Sequence, residues 1–175
     1  MKPSSFQDKL HNIQTAKGTN RALLLIPRLT KMPLPMQRYD DPFLPFGKAV
    51  IAATQDLVCA YVFDLGAYLA LGAAGAVALE RTIASVDDTT VSVLHAPFVG
   101  SGYIEAAEAF NVDAVTLALV VDAETYRAAG FGTFWREGAF LLEIGGETQL
   151  SLLGEDVLYA GHDDDFAVQV RAALQ

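Results

Sequence analysis

DPFLPFGKAVIAATQDLVCAYVFDLGAYLALGAAGAVALERTI, Asp41 to Ile83, carries a helix, a strand and a second helical stretch with almost no loop between them. Phe46 to Gln55 has a helical pattern, and Asp56 to Phe63 (DLVCAYVF) is a nearly unbroken apolar run. An apolar run of that length, without alternation, marks a strand buried on both faces, as in a parallel sheet covered by helices. Leu65 to Val86 is rich in Ala and Leu, and Gly72 and Gly75 divide it into two helices.

The same rhythm continues on both sides. Upstream, Phe6 to Ala16 spaces Phe6, Leu10 and Ile13 for one helical face and is followed by Gly18. Ala22 to Ile26 is a buried strand halted by Pro27, and Thr30 to Pro45, with four prolines, reads as a loop. Downstream come a strand at Thr89 to His95, a helix at Tyr103 to Phe110 and a strand at Asp113 to Val121. A short helix at Ala123 to Ala129 and a fifth strand at Ala139 to Ile144 follow. Gly145-Gly146 between FLLEI and TQLSLL signals a β-hairpin, hence an antiparallel strand. Asp156 to Tyr159 reads as a further short strand and Asp165 to Leu174 as the last helix.

Alternating strands and helices imply an α/β domain with a parallel sheet and helices outside. Right-handed crossovers leave an incomplete or open (β/α) barrel with a C-terminal β-hairpin, or a doubly wound α/β sheet. A full eight-fold barrel needs about 250 residues, and the chain has 175, enough for one domain over residues 1–175. With two or more strand–helix units missing, the open barrel is expected to leave unpaired edges.

Composition narrows the partners. Apolar residues make up 52%, charged residues 19%, and the formal net charge is -9. Such an acidic chain lacks the basic patches that nucleic acid or an anionic membrane requires. No stretch has the length of a membrane span, Met1 to Ala16 does not read as a signal peptide, and the single Cys59 excludes an internal disulfide. A cytoplasmic protein without cofactor or metal is the expectation.

Two stretches resemble the bacterial type of orotidine 5'-monophosphate (OMP) decarboxylase. One is Asp41 to Ile83, with its PF-x-PF start, AT-x-DLVCAY strand and LG-x-x-G-x-x-ALERTI helix; the other is Asp156 to Leu174, DVLYAGHDDDFAVQVRAAL. Together with weaker echoes they cover about half of the chain, and the missing length implies an internal deletion after strand five. The resemblance implies a barrel derived from the TIM fold and a homodimer paired across the open barrel ends. It also assigns catalysis to an alternating lysine–aspartate array, and here the chain departs from the family. The lysine at the end of strand two corresponds to Val62. The strand-three D-x-K-x-x-D pattern falls on His95, Pro97 and Gly100, and the phosphate-gripping arginine falls on or next to Glu155. Valine and proline neither stabilise a carbanion nor protonate it, and preorganised charge is usually the largest catalytic contribution.

The expected function is therefore that of a non-catalytic relative (a pseudoenzyme) binding a small ligand or a protein partner. The alternative is a lyase-like enzyme of altered chemistry using His95 with a strand-end carboxylate; a third reading is an assembly protein with no ligand. Strand ends offer the candidate binding residues Arg28, Asp64, His95, Ser101, Gly102 and Glu143. Gly100-Ser101-Gly102 has the form of an anion-cradling turn or of a plain helix entry. His162 to Asp165 reads as helix capping rather than metal ligation, and Cys59 as a buried, inert thiol. The aromatic cluster Phe131, Phe134 and Trp135 either lines a pocket or partner surface or packs a connection against the core.

Overall fold

The computed structural model describes residues 5–98, 103–118 and 123–175. Seven strands form a closed barrel in chain order: β1 (Arg21–Leu25), β2 (Ala60–Asp64), β3 (Val91–His95), β4 (Ala114–Thr116), β5 (Gly132–Glu137), β6 (Phe140–Glu143) and β7 (Gln149–Leu153). The first five pair in parallel, β6 is antiparallel to both neighbours, and β7 runs parallel to β1. Around and below them lie α1 (Phe6–Lys17), α2 (Phe43–Thr54), α3 (Leu65–Leu69), α4 (Gly72–Ile83), α5 (Ile104–Ala109), α6 (Ala123–Ala128), α7 (Glu155–Leu158) and α8 (Phe166–Leu174).

The α/β barrel class agrees with the sequence reading, and four details correct it. The barrel is not open: the Gly145 turn (φ 77°) sends β7 back so that Arg21 to Leu23 pair with Ser151 to Leu153. Closure also rules out the doubly wound sheet. The fifth strand is Gly132–Glu137; the stretch read as strand five is β6, one arm of the hairpin. GTFWRE escaped notice because its outer half, from Trp135 to Glu137, is partly or fully exposed and so has no continuous apolar run. Lastly, Glu155 to Leu158 is a helical turn, not a strand.

Side-chain alternation splits the core in two. Ala22, Leu24, Ala60, Val62, Val93 and Phe134 point into the barrel, whereas Leu23, Leu25, Tyr61, Phe63 and Leu94 point out beneath the helices. The inner cluster is too narrow to fill its own end, and α1 plugs it with Leu10 and Ile13. A capping box starts this helix: Ser5 Oγ accepts from Asp8 N at 3.2 Å, while Ser5 N donates to Asp8 Oδ2 at 3.0 Å. Gly18, at φ 63°, ends it. Lys17 Nζ then donates to Gln55 O, Val58 O and Thr90 Oγ1, and Lys9 Nζ to Asp113, all just ahead of β2, β3 or β4. The plug therefore closes the N-terminal ends of the parallel strands and leaves their C-terminal ends as the mouth. Outside, α2 comes close to α4 because position 47 is glycine; a Cβ there would lie 2.5 Å from Thr82 Cγ2.

Candidate functional site

The mouth is built by strand register. Asp64 pairs with His95 and His95 with Thr116, so the last inward-facing residues of β2, β3 and β4 stand side by side. Arg136 lies on the same inward-facing alternation of β5, two residues beyond Phe134.

His95 is 7% exposed. Its Nδ1 lies 2.7 Å from Thr116 Oγ1, which also accepts from Ala96 N at 3.1 Å. Thr116 is completely buried, and among the described residues His95 Nδ1 is the one group within hydrogen-bond distance that could take its hydroxyl proton. Because a buried hydroxyl proton left unpaired is costly, Thr116 donates to Nδ1 and the imidazole proton resides on Nε2. Burial pushes the His95 pKa below its ordinary value; the Asp64 charge opposes this and Arg136 adds to it. The imidazole is neutral near pH 7 and offers a donor.

Asp64 links β2 directly to α3 as its N-cap, its carboxylate accepting from Ala67 N at 2.7 Å. Arg28 follows Pro27 after β1. Its backbone N donates to Tyr159 Oη at 2.8 Å, and its guanidinium meets Glu155 at 2.6 Å. Lys31 reaches the other Glu155 oxygen at 2.6 Å, and this hydrogen bond is the largest influence holding the Glu155 carboxyl below its usual range. A carboxylate already neutralised by two cations thus occupies the neighbourhood where the resemblance would put a phosphate-gripping arginine.

Two cavities open at this end. One, of about 500 Å³, lies beside Ile26, Arg28, Phe43 and Asp64. The other, about 440 Å³, is lined by His95, Pro97, Leu117, Ala118, Trp135 and Arg136, with Gly138 at its edge. A larger depression of about 930 Å³ sits at the plugged end beside Lys17, Arg21 and Asp56. In barrels that end contributes stability and the strand C-termini contribute chemistry, so the mouth is the candidate site.

Of the residues singled out from sequence, Arg28, Asp64, His95 and Pro97 stand at the mouth. Val62 lies deeper, completely buried among the barrel's inner side chains. Gly100, Ser101 and Gly102 lie outside the described residues. Glu143 is at the opposite end: β6 runs antiparallel, and its carboxylate accepts from Gln7 of α1 at 3.3 Å. Sequence reading missed Thr116 as the partner of His95 and Arg136 as an inward residue. Treating GTFWRE as a strand of period two would have placed Arg136 on the face of Phe134. In the aromatic cluster, Phe134 is core and meets Phe6 edge-on at 5.9 Å, while Trp135 lines the His95 cavity. Asp165 precedes α8 without a side-chain cap bond, accepting instead from the Gln169 side chain at 2.9 Å, so the capping expectation fails there. Cys59 is buried, and desolvation lifts its thiol to about 11. Among the described residues no group of three or more His, Cys, Asp or Glu is arranged to hold a metal ion, and no helix is long and apolar enough to cross a membrane.

The sequence is 37% identical over 118 residues to the orotidine 5'-phosphate decarboxylase of Herpetosiphon aurantiacus, a match spanning 62% of this chain and 44% of that protein. The corresponding enzyme of Thermomicrobium roseum is 37% identical over 78 residues, 45% of this chain and 28% of its own length. The chain is a relative of the orotidine 5'-phosphate decarboxylases. It spans less than half the length of these two decarboxylases. Solved decarboxylase structures share the fold. The Leishmania donovani OMP decarboxylase superposes with a TM-score of 0.60 at 22% identity, covering 75% of this chain and 53% of that one. A Toxoplasma gondii structure assigned as an orotidine-monophosphate decarboxylase gives 0.63 at 24% identity over 74% and 47%. No protein-family model matches the chain.

Proposed function

We propose that this decarboxylase relative does not decarboxylate and instead binds a small ligand at the barrel mouth. The observation that carries this reading is Val62, an apolar side chain with no exposure, where the resemblance calls for a charged lysine. Three of the charged side chains at the mouth are engaged structurally: Asp64 caps α3, and Arg28 joins Lys31 in neutralising Glu155. A decarboxylase needs preorganised, unspent charge at the developing carbanion. His95 bonds a threonine, Glu143 lies at the other end of the barrel, and the neighbouring Asp64 turns a carboxylate oxygen to Ala67 N as the cap of α3, so the altered-chemistry alternative has less support than ligand binding.

The test is carbon dioxide release from OMP by the purified protein. The expected result equals the blank; turnover above it withdraws the reading. Calorimetry with UMP should give no micromolar binding at moderate salt. A homodimer, as the resemblance implies, belongs to the same proposal. With every strand edge paired, it would use exposed apolar side chains near the mouth, notably Leu29 and Phe98.

A further inference from the structure

The cavity between β3, β4 and β5 has an uneven chemistry. Its apolar wall is made by Pro97, Leu117, Ala118 and the half-buried Trp135. Its polar groups are donors. Arg136 spends Nε on Gly138 O at 3.1 Å, and its two terminal nitrogens have no acceptor among the described residues. His95 spends Nδ1 on Thr116, which leaves the Nε2 proton without a described partner. Among the described residues no carboxylate lines this cavity.

Two donors, one permanently cationic, beside an apolar wall form a half-built receptor for an anionic acceptor. We infer that the His95–Arg136 cavity binds a small monocarboxylate with an apolar body, its oxygens received by the Arg136 guanidinium and the His95 Nε2 proton. The inference rests on the mouth being a ligand site and narrows the ligand's class. A guanidinium matches a planar carboxylate through paired hydrogen bonds, and the cavity, at about 440 Å³, falls within the small end of ligand sites. Trp135 supplies a flat apolar surface for the body of the ligand. Thr116 acts as a positioning residue by fixing the tautomer.

Trp135 is the only tryptophan in the chain, so its fluorescence reports on this cavity alone. Three probes of one shape are titrated into the full chain: cyclohexanecarboxylate, the neutral cyclohexanecarboxamide and the cyclohexylammonium ion. The carboxylate should bind saturably and at least about tenfold more tightly than the amide, the scale of one charge-assisted hydrogen bond. Arg136→Gln, at an exposed position that leaves folding intact, should bring the two to near parity, and Arg136→Lys should restore part of the difference. Binding of the amide or the ammonium ion as tightly as the carboxylate overturns the inference while leaving a ligand site at the mouth. An unchanged carboxylate affinity in Arg136→Gln also overturns it. If no probe alters Trp135 fluorescence, both the inference and the ligand reading beneath it fall.

Discussion

His95 and Thr116 show how much rests on one buried hydroxyl. Thr116→Val keeps the shape but leaves Nδ1 and Ala96 N without their partner, and we expect a loss of about 1–3 kcal/mol in urea unfolding. Thr116→Ser should lose less. The lowered His95 pKa also sets a direction with pH. The unfolded chain takes up a proton near the ordinary value of 6.5, whereas the folded chain resists until lower pH. Stability present above pH 6.5 is therefore lost as pH falls through that value, and the loss ends below the folded pKa. His95→Gln should flatten this segment of the stability–pH profile; an unchanged slope there would mean that His95 titrates normally. At Val62, lysine placed in a completely buried apolar position should cost on the order of 4 kcal/mol. It should also bring no decarboxylase activity, since Pro97 cannot share its role. Strand-end residues such as Asp64 and His95 were legible because a buried strand has a readable end. Thr116 was not, since only strand register tells which threonine meets which histidine.

At the scale of elements, the joint between α1 and β5 is a tight fit. A Cβ at Gly132 would lie 2.2 Å from a ring carbon of Phe6, so any side chain there must displace the ring by which α1 meets Phe134. Gly132→Val should lower stability by about 1–3 kcal/mol and expose α1 to protease before the barrel unfolds, whereas Ser5→Ala should cost only about 1 kcal/mol through the lost cap. Equal protease resistance in Gly132→Val would mean that Phe6 does not hold the plug. Elements buried on both faces, β1 to β3, were visible as apolar runs. The hairpin was visible too, from its glycines. What local sequence did not carry was the partner of each hairpin arm: Ala139 to Ile144 has strand character whichever way it runs. Its antiparallel direction decides that Glu143 faces α1 rather than the mouth.

For the whole molecule, seven strands suffice because an antiparallel hairpin spans the gap that missing strand–helix units would leave. That removes the argument for pairing through raw strand edges, since none remains among the described residues. The proposed dimer then depends on the mouth, where Leu29 is 53% and Phe98 65% exposed. Sedimentation at low micromolar concentration should give twice 18.8 kDa, and Phe98→Ser should give the single mass. A single mass for the unaltered chain withdraws the dimer and leaves the closed barrel untouched.

The β1–β7 seam carries a further consequence, for the order of events in time. It joins residues about 130 positions apart, so the seam is the longest-range pairing of the barrel. On the ribosome, β1 to β5 emerge as a growing parallel sheet while β1 waits with one side bare. That side is Ala-Leu-Leu-Leu, an adhesive edge in the absence of its mate. Only when Leu153 has left the exit tunnel can β7 cover it. Newborn chains therefore pass through a window in which the sheet is largely assembled yet still sticky, and the length of that window is set by the translation of the hairpin.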